Sequence, residues 1–146
     1  MTKKYLAVVL FTALLTGVVE TSSALELSQY NKLDTVSSIV NDSEVTDSLR
    51  KTLGNHYQTF IDNFDVFGEP HTTTGGGLFV EGWLKDLYLE NASALVIYPD
   101  GKIFAAWVVP ESDVIHYQSS DNRPVIHADI QQWAARFNTM QFAANS

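Results

Sequence analysis

Residues 77–110 constrain the fold most, because this block holds the densest run of apolar and aromatic side chains in the sequence. Within it, residues 92–98 are almost continuously apolar, as in a strand that is covered on both faces. Asp100-Gly101 follows at once, and this dipeptide is a strong hairpin signal. Residues 102–109 are therefore predicted to return as the partner strand, so the block forms the middle of an antiparallel sheet.

Three further strands are predicted around this hairpin. Residues 66–73 and 78–84 are extended on either side of the glycines at 75–77, which can adopt positive φ in a turn. Residues 113–118 form the fifth strand, near an edge of the sheet. Side chains alternate between faces along a strand, and the face that carries Val80 is predicted to point into the core.

Helical spacing dominates the first part of the domain. Apolar residues at steps of three and four predict helices over residues 26–40, 43–53 and 55–64. Ser43 is predicted to cap the second of these helices, and Gly54 to end it.

The same spacing returns near the C-terminus. It predicts an amphipathic helix over residues 127–138, with Trp133 and Phe137 lying on the sheet. Helices and strands that occur in separate runs are typical of α+β proteins. The predicted fold is thus a largely antiparallel five-stranded sheet, with the N-terminal helices and one C-terminal helix packed on it.

The first 24 residues are predicted to be a cleaved signal peptide. Lys3 and Lys4 precede an apolar run at residues 5–19, and small residues follow at 22–24. The run is shorter than the roughly 20 residues that a membrane span needs, although an uncleaved anchor helix is the alternative. Residues 25–146 then form a single domain in the bacterial periplasm.

The charge and the cysteine count exclude several functions. Removing the signal peptide changes the formal net charge from −8 to about −9. Such a charge disfavours nucleic acid and anionic membranes, and it fits a cationic partner, although solubility alone would also explain it. The chain has no cysteine, which excludes thiol nucleophiles and thiolate metal sites.

No complete catalytic or metal-binding motif is present. The four histidines do not show the spacing of zinc hydrolases, and no Gly-x-Ser-x-Gly motif occurs. No cofactor or metal is therefore predicted. Ser112, Asp113 and His116 form the one suggestive group, so a small exported hydrolase is kept as an alternative. An exported ligand-binding module is a second alternative.

The order of elements from residue 66 to residue 137 resembles that of the periplasmic inhibitors of vertebrate lysozyme. That family carries a loop with a histidine and an aspartate between two cysteines, and the loop enters the active-site cleft of lysozyme. The resemblance implies that residues 83–88 are the matching region and that the aspartate corresponds to Asp86. The two cysteines and the histidine have no counterpart here.

In its organisation the chain is also similar to the immunity proteins of type VI secretion systems. This resemblance implies a periplasmic protein, without catalysis of its own, that occludes the cleft of a peptidoglycan-degrading, lysozyme-like effector. Lys85 would face a catalytic carboxylate, because glycoside hydrolases work through paired carboxylates. Trp83 and Tyr88 would fill sugar subsites, and Asp86 and Glu90 would pair with cationic groups on the rim of the cleft.

Alternatives remain for this candidate loop. Trp83 and Tyr88 can be ordinary core residues, and the charges beside them a solvated turn. A second candidate surface consists of His116, Tyr117 and Arg123. A homodimer through the strand at residues 114–118 is also predicted, because exposed edge strands can pair across a twofold axis.

Overall fold

The computed structural model of the protein describes residues 24–121 and 125–143. All but the last residue of the predicted signal peptide therefore lies outside the described residues. Within these two ranges, no helix has the length and apolar character that crossing a membrane requires.

A seven-stranded sheet forms the middle of the protein. Its order is β1-β3-β4-β5-β6-β7, and β2 pairs with β3 beyond the end of β1. All neighbours are antiparallel except β6 and β7, which are parallel. The strands are β1 Val66–Phe67, β2 His71–Thr73, β3 Gly77–Trp83, β4 Ala92–Ile97, β5 Ile103–Val108, β6 Val114–Ser119 and β7 Gln141–Phe142.

The predicted α+β class and largely antiparallel sheet are confirmed, but the sheet has seven strands where five were predicted. The predicted strand at residues 66–73 is divided into β1 and β2 around Pro70, which has no N–H to donate to a neighbour. The additional strand β7 has two residues, too few for an alternating pattern to be visible in the sequence.

The β4–β5 hairpin confirms the strongest turn signal of the sequence. The Gly101 N–H donates to the Tyr98 carbonyl at 2.8 Å, and the Tyr98 N–H donates to the Lys102 carbonyl at 2.9 Å. The loop therefore has three residues, and Gly101 adopts φ of 91°. A glycine at the left-handed position is what such a loop requires.

Helical segments cover one face of the sheet. They are 3₁₀ turns at Leu27–Tyr30, Val36–Asn41 and Gly54–His56, helix α1 at Ser43–Leu53 and helix α2 at Tyr57–Ile61. Their buried side chains share one core with Leu78, Val80 and Leu95, so the prediction for Val80 is confirmed.

Helix α3, at Ala128–Ala134, covers the other face. Trp133 and Phe137 are buried against β4 and β5 in a second core, as predicted. β4 lies between the two cores, and all six of its residues are buried. A sheet covered on both faces explains why the sequence of β4 is apolar without alternation.

The prediction of a helix over residues 26–40 is wrong, because this segment forms 3₁₀ turns separated by an irregular stretch. Its apolar residues recur at every third position, which is the repeat of a 3₁₀ helix rather than of an α-helix. These residues are Leu27, Tyr30, Leu33, Val36 and Ile39. Leu33, in the irregular stretch, is 57% exposed.

Asp42, and not Ser43, caps helix α1. The Asp42 carboxylate accepts the N–H groups of Glu44 and Val45 at 2.9 and 3.2 Å, and the Tyr30 hydroxyl donates to it at 2.6 Å. The hydrogen bond from Tyr30 lowers the pKa of Asp42, while burial raises the pKa of Tyr30 to about 12. Gly54 ends the helix at φ of 55°, as predicted.

Candidate functional site

Three loops meet at one end of the sheet. The loop at residues 84–91 joins β3 to β4, the turn at 109–113 joins β5 to β6, and the turn at 62–65 leads into β1. Because β3, β4, β5 and β6 are antiparallel neighbours, their connections alternate between the two ends, which places these three segments together. We call this surface the loop end.

Hydrogen bonds within the 84–91 loop make it compact. The Leu84 N–H donates to the Asn91 carbonyl at 3.0 Å, which closes the base of the loop. The N–H groups of Leu87 and Asn91 donate to the carbonyls of Leu84 and Leu87, each at 2.9 Å. Asp86 lies between these turns with φ of 67°, a left-handed conformation that few residues other than glycine adopt.

The turn at 62–65 braces the loop from below. The Asp65 carboxylate accepts the Lys85 N–H at 3.2 Å. The buried Asn63 amide donates to the carbonyls of Ala92 and Val108 at 3.1 and 3.2 Å, and it also contacts the Ser93 hydroxyl at 3.1 Å. Asn63 therefore ties the first residue of β4 to the last residue of β5, directly beneath the loop.

The segment after helix α3 braces the loop from the side. The rings of Trp83 and Tyr88 meet edge to face with centroids 4.8 Å apart, and the Arg136 guanidinium lies 4.6 Å from the centroid of Tyr88. Arg136 Nη1 also lies 2.8 Å from Glu81 Oε1, an ion pair whose two atoms do not have hydrogen-bond geometry. The side chains of Arg136 and Glu81 are 21% and 15% exposed, so this charge pair is partly shielded from water.

The tip of the loop faces solvent. Tyr88 is 42% exposed and Leu89 is 52% exposed, and Lys85, Asp86 and Glu90 are exposed beside them. Trp83 is half-buried under Tyr88, so it supports the tip more than it presents itself. The tip thus combines an exposed apolar area with charges of both signs.

The loop end is strongly acidic. Its three segments carry six exposed carboxylates and a single lysine, Lys85. The carboxylates belong to Asp62, Asp65, Asp86, Glu90, Glu111 and Asp113. Such a field attracts a cationic partner and speeds its approach.

The structure does not join the second candidate surface into one patch. His116 stacks on Trp107 with ring centroids 5.3 Å apart, on the face of the sheet that the N-terminal helices cover. Tyr117 belongs to the opposite face, where its hydroxyl donates to the Val125 carbonyl at 3.2 Å. Burial lowers the pKa of His116, with nearby His56 as the second cause, and burial raises the pKa of Tyr117. Arg123 lies outside the described residues.

The residues of the hydrolase alternative are not assembled as a catalytic set. The Ser112 hydroxyl accepts the Val114 N–H at 3.3 Å, in the turn before β6. In the part of the chain that the structure describes, no hydrogen bond joins the His116 ring to Ser112 or Asp113. The same residues contain no cluster of three or more potential metal ligands.

Sequence reasoning missed four residues of this site: Asn63, Asp65, Leu89 and Arg136. Asn63 lies among aromatic residues at the end of a helical pattern. The spacing of apolar residues in the sequence does not indicate that its amide is buried. Arg136 follows Trp133 by three positions and is therefore placed beside the face of α3 that meets the sheet. Its contact with Tyr88 depends on the sheet topology, which the sequence does not specify.

The described residues thus form a small α+β scaffold with a compact loop exposed at one end. The sequence model of one family, described as inhibitor of vertebrate lysozyme, matches residues 44–140. The chain belongs to this family. Neither the curated proteins nor the solved structures gave a match.

Proposed function

We propose that this protein inhibits a lysozyme-like peptidoglycan hydrolase by inserting the 84–91 loop into the enzyme's active-site cleft. One observation carries the proposal: in a chain of the lysozyme-inhibitor family, the loop between β3 and β4 is exposed at its tip and fixed at its base. Inhibition then results from occlusion, because substrate and loop compete for the same space.

The tip has the chemistry that such a cleft would bind. Glycoside hydrolases place two carboxylates beside the scissile bond, and the Lys85 ammonium can reach one of them. Tyr88 and Leu89 supply apolar surface for a subsite that otherwise holds a sugar ring. Aromatic anchors of this kind usually carry much of the binding energy at an interface.

Preorganisation supports the same role. The family loop lies between two cysteines, and this chain has none, so its loop must be ordered without a disulfide. Asp65, Asn63 and Arg136 supply that order through hydrogen bonds and a cation–π contact. A loop that is already ordered loses less conformational entropy on binding, which increases affinity.

The proposed partner is a bacterial enzyme with a basic surface. Enzymes that bind an anionic cell-wall polymer gain from positive charge, and the six carboxylates of the loop end complement such a surface. We assign the protein to the periplasm, reached after cleavage of residues 1–24, and we assign the partner to the peptidoglycan hydrolases delivered by type VI secretion. The protein acts as the immunity protein of that effector, with no role for nucleic acid or a cofactor.

The test is inhibition of purified enzymes by residues 25–146. Release of soluble fragments from peptidoglycan would be measured with muramidases of the lysozyme type and, as a control, with peptidoglycan amidases. The proposal predicts that the protein inhibits at least one muramidase and that a soluble chitooligosaccharide competes with this inhibition. Absence of a complex with every muramidase, or inhibition that oligosaccharide does not relieve, would refute it.

We also propose that the predicted homodimer forms through the C-terminal half of β6. β7 pairs with Val114 and Ile115, so these residues do not form a free edge. Sedimentation of the mature protein at several concentrations tests this point, and a concentration-independent monomer mass contradicts it.

A further inference from the structure

Glu81 places a carboxylate on the face of the sheet that helix α3 covers. Its neighbours on that face of β3 are Phe79 and Trp83, and its partner on β4 is Ala94, which is fully buried. The Glu81 side chain is 15% exposed. Because a charge at such a place loses much of its hydration, stability alone favours an apolar residue there. The carboxylate therefore calls for a role other than stability.

Arg136 supplies the counter-charge. Its Nη1 lies 2.8 Å from Glu81 Oε1, and both atoms are buried. Three aromatic rings surround the guanidinium carbon, with the centroid of Tyr88 at 4.6 Å and those of Trp133 and Phe137 at 6.0 Å. The faces of aromatic rings attract a cation, but they do not neutralise it. The Glu81 carboxylate thus keeps the guanidinium charge paired at this position.

The edge of the sheet fixes the Glu81 side chain from the other side. Gly68 follows β1 and donates its N–H to the Glu81 carbonyl at 3.1 Å. A Cβ atom at position 68 would lie 2.9 Å from Cγ and 3.0 Å from Oε2 of Glu81, so a larger residue would displace the carboxylate. The Glu81 side chain occupies the space that Gly68 leaves open, which limits its movement away from Arg136.

Tyr88 transmits this arrangement to the tip of the 84–91 loop. It is 42% exposed, and its ring meets Trp83 edge to face with centroids 4.8 Å apart. We propose that Glu81 is a positioning residue of this loop. Glu81 holds Arg136, and Arg136 holds the Tyr88 ring in the orientation in which it meets the enzyme. This inference rests on the proposed function, because that function assigns Tyr88 to the interface.

A positioning role and a stabilising role predict different results when the pair is made apolar. Replacing a shielded ion pair by apolar residues of similar size often leaves stability unchanged or raises it. Glu81→Met with Arg136→Met is such a replacement. If the pair positions the loop, this double variant folds normally but has a less ordered loop. Glu81→Gln isolates the role of the carboxylate, because it leaves Arg136 without its counter-charge.

NMR relaxation of the free, ¹⁵N-labelled mature protein measures the order of the loop directly. In the wild type, we expect order parameters of about 0.85 for the amides of residues 85–90, as in rigid backbone. Both variants should lower them towards about 0.6, the value of flexible segments, while β4 and β5 keep theirs. Asp129→Asn is the matched control, because it removes the carboxylate that lies 3.3 Å from His71 Nε2 and links helix α3 to β2. Unchanged loop order in either variant of the pair would overturn the proposal.

Inhibition and stability of the same proteins complete the test. The inhibition constant against a muramidase that the wild type inhibits should rise about three- to tenfold in both variants and stay unchanged in Asp129→Asn. The thermal midpoint of the double Met variant should fall by no more than about 3 °C. A larger fall, or the inhibition constant of the wild type, would overturn the positioning role. If the wild type inhibited no muramidase, the proposed function would fail, and the relaxation data would still decide whether Glu81 orders the loop.

Discussion

Arg136 holds the ring of Tyr88 from the side, with 4.6 Å between its guanidinium carbon and the ring centroid. Its Nη1 lies 2.8 Å from Glu81 Oε1 on β3. Arg136, two positions beyond the end of helix α3, thus fixes an exposed residue of the loop to the sheet. In a chain without cysteines, this contact has the positioning role that a covalent crosslink can have in a loop of this kind.

Arg136→Ala should therefore loosen the loop. We expect the inhibition constant to rise by about three- to tenfold, or roughly 0.7–1.4 kcal/mol, as expected for one lost cation–π contact and a less ordered loop. Arg50→Ala is the matched control, because Arg50 lies 4.3 Å from the centroid of Tyr57 on the helical side of the protein. Equal effects of the two variants would argue against a positioning role for Arg136.

Asn63→Leu should destabilise the whole protein. The substitution removes the amide that donates to the carbonyls of Ala92 and Val108, and both carbonyls remain buried. We expect the free energy of unfolding to fall by about 2–4 kcal/mol. Urea unfolding measures this difference in the free energy of unfolding. Asn55→Leu, at an exposed position, is the control and should change it by less than about 0.5 kcal/mol. A small effect at Asn63 would show that water replaces its hydrogen bonds.

Tyr30→Phe should lower stability by about 1–2 kcal/mol at pH 7, because it removes a hydrogen bond to a charged carboxylate. That bond lowers the pKa of Asp42, so its contribution is present above the usual pKa of aspartate and is lost as the pH falls through the folded-state value. Urea midpoints of the wild type and the variant should converge at a pH low enough to protonate Asp42 in the folded protein. A constant difference down to that pH would show that Asp42 is not the partner that matters. Tyr57→Phe is the control.

His116 should make the protein less stable in mild acid. Burial lowers its pKa, so the unfolded chain takes up a proton at a higher pH than the folded protein does. Stability should therefore fall as the pH drops through about 6.5 and level off below the folded-state pKa. His116→Phe preserves the stack on Trp107 and should flatten the dependence of the thermal midpoint between pH 7.5 and pH 5. If the thermal midpoint of the variant kept the same dependence on pH, other titratable groups would be the cause.

The sequence was sufficient for the central part of the fold. The apolar run of β4 and the Asp100-Gly101 turn have local physical causes, so their pattern predicted the structure directly. Residues 26–40 were wrongly predicted to form an α-helix, because apolar residues spaced by three fit both a 3₁₀ turn and, over a short stretch, an α-helix. The loop was found because charges interrupt an apolar pattern.

The supports of the loop could not be predicted in the same way. Arg136 and Tyr88 are far apart in the sequence, and only the order of strands brings them together. The acidic character of the loop end has the same origin, because Asp62, Asp86 and Glu111 come from three separate connections.

The most direct test of the inhibitory role is the inhibition constant of Lys85→Glu against a muramidase that the wild type inhibits. Lys85 is the only lysine of the loop end, and the proposed function pairs it with a catalytic carboxylate of the enzyme. Lys32→Glu makes the same charge change at an exposed lysine of the N-terminal segment and serves as the control. We predict that Lys85→Glu weakens inhibition by more than tenfold, or about 1.4 kcal/mol, and that Lys32→Glu changes it by less than about twofold. Equal inhibition by Lys85→Glu and the wild type would contradict insertion of this loop into the cleft.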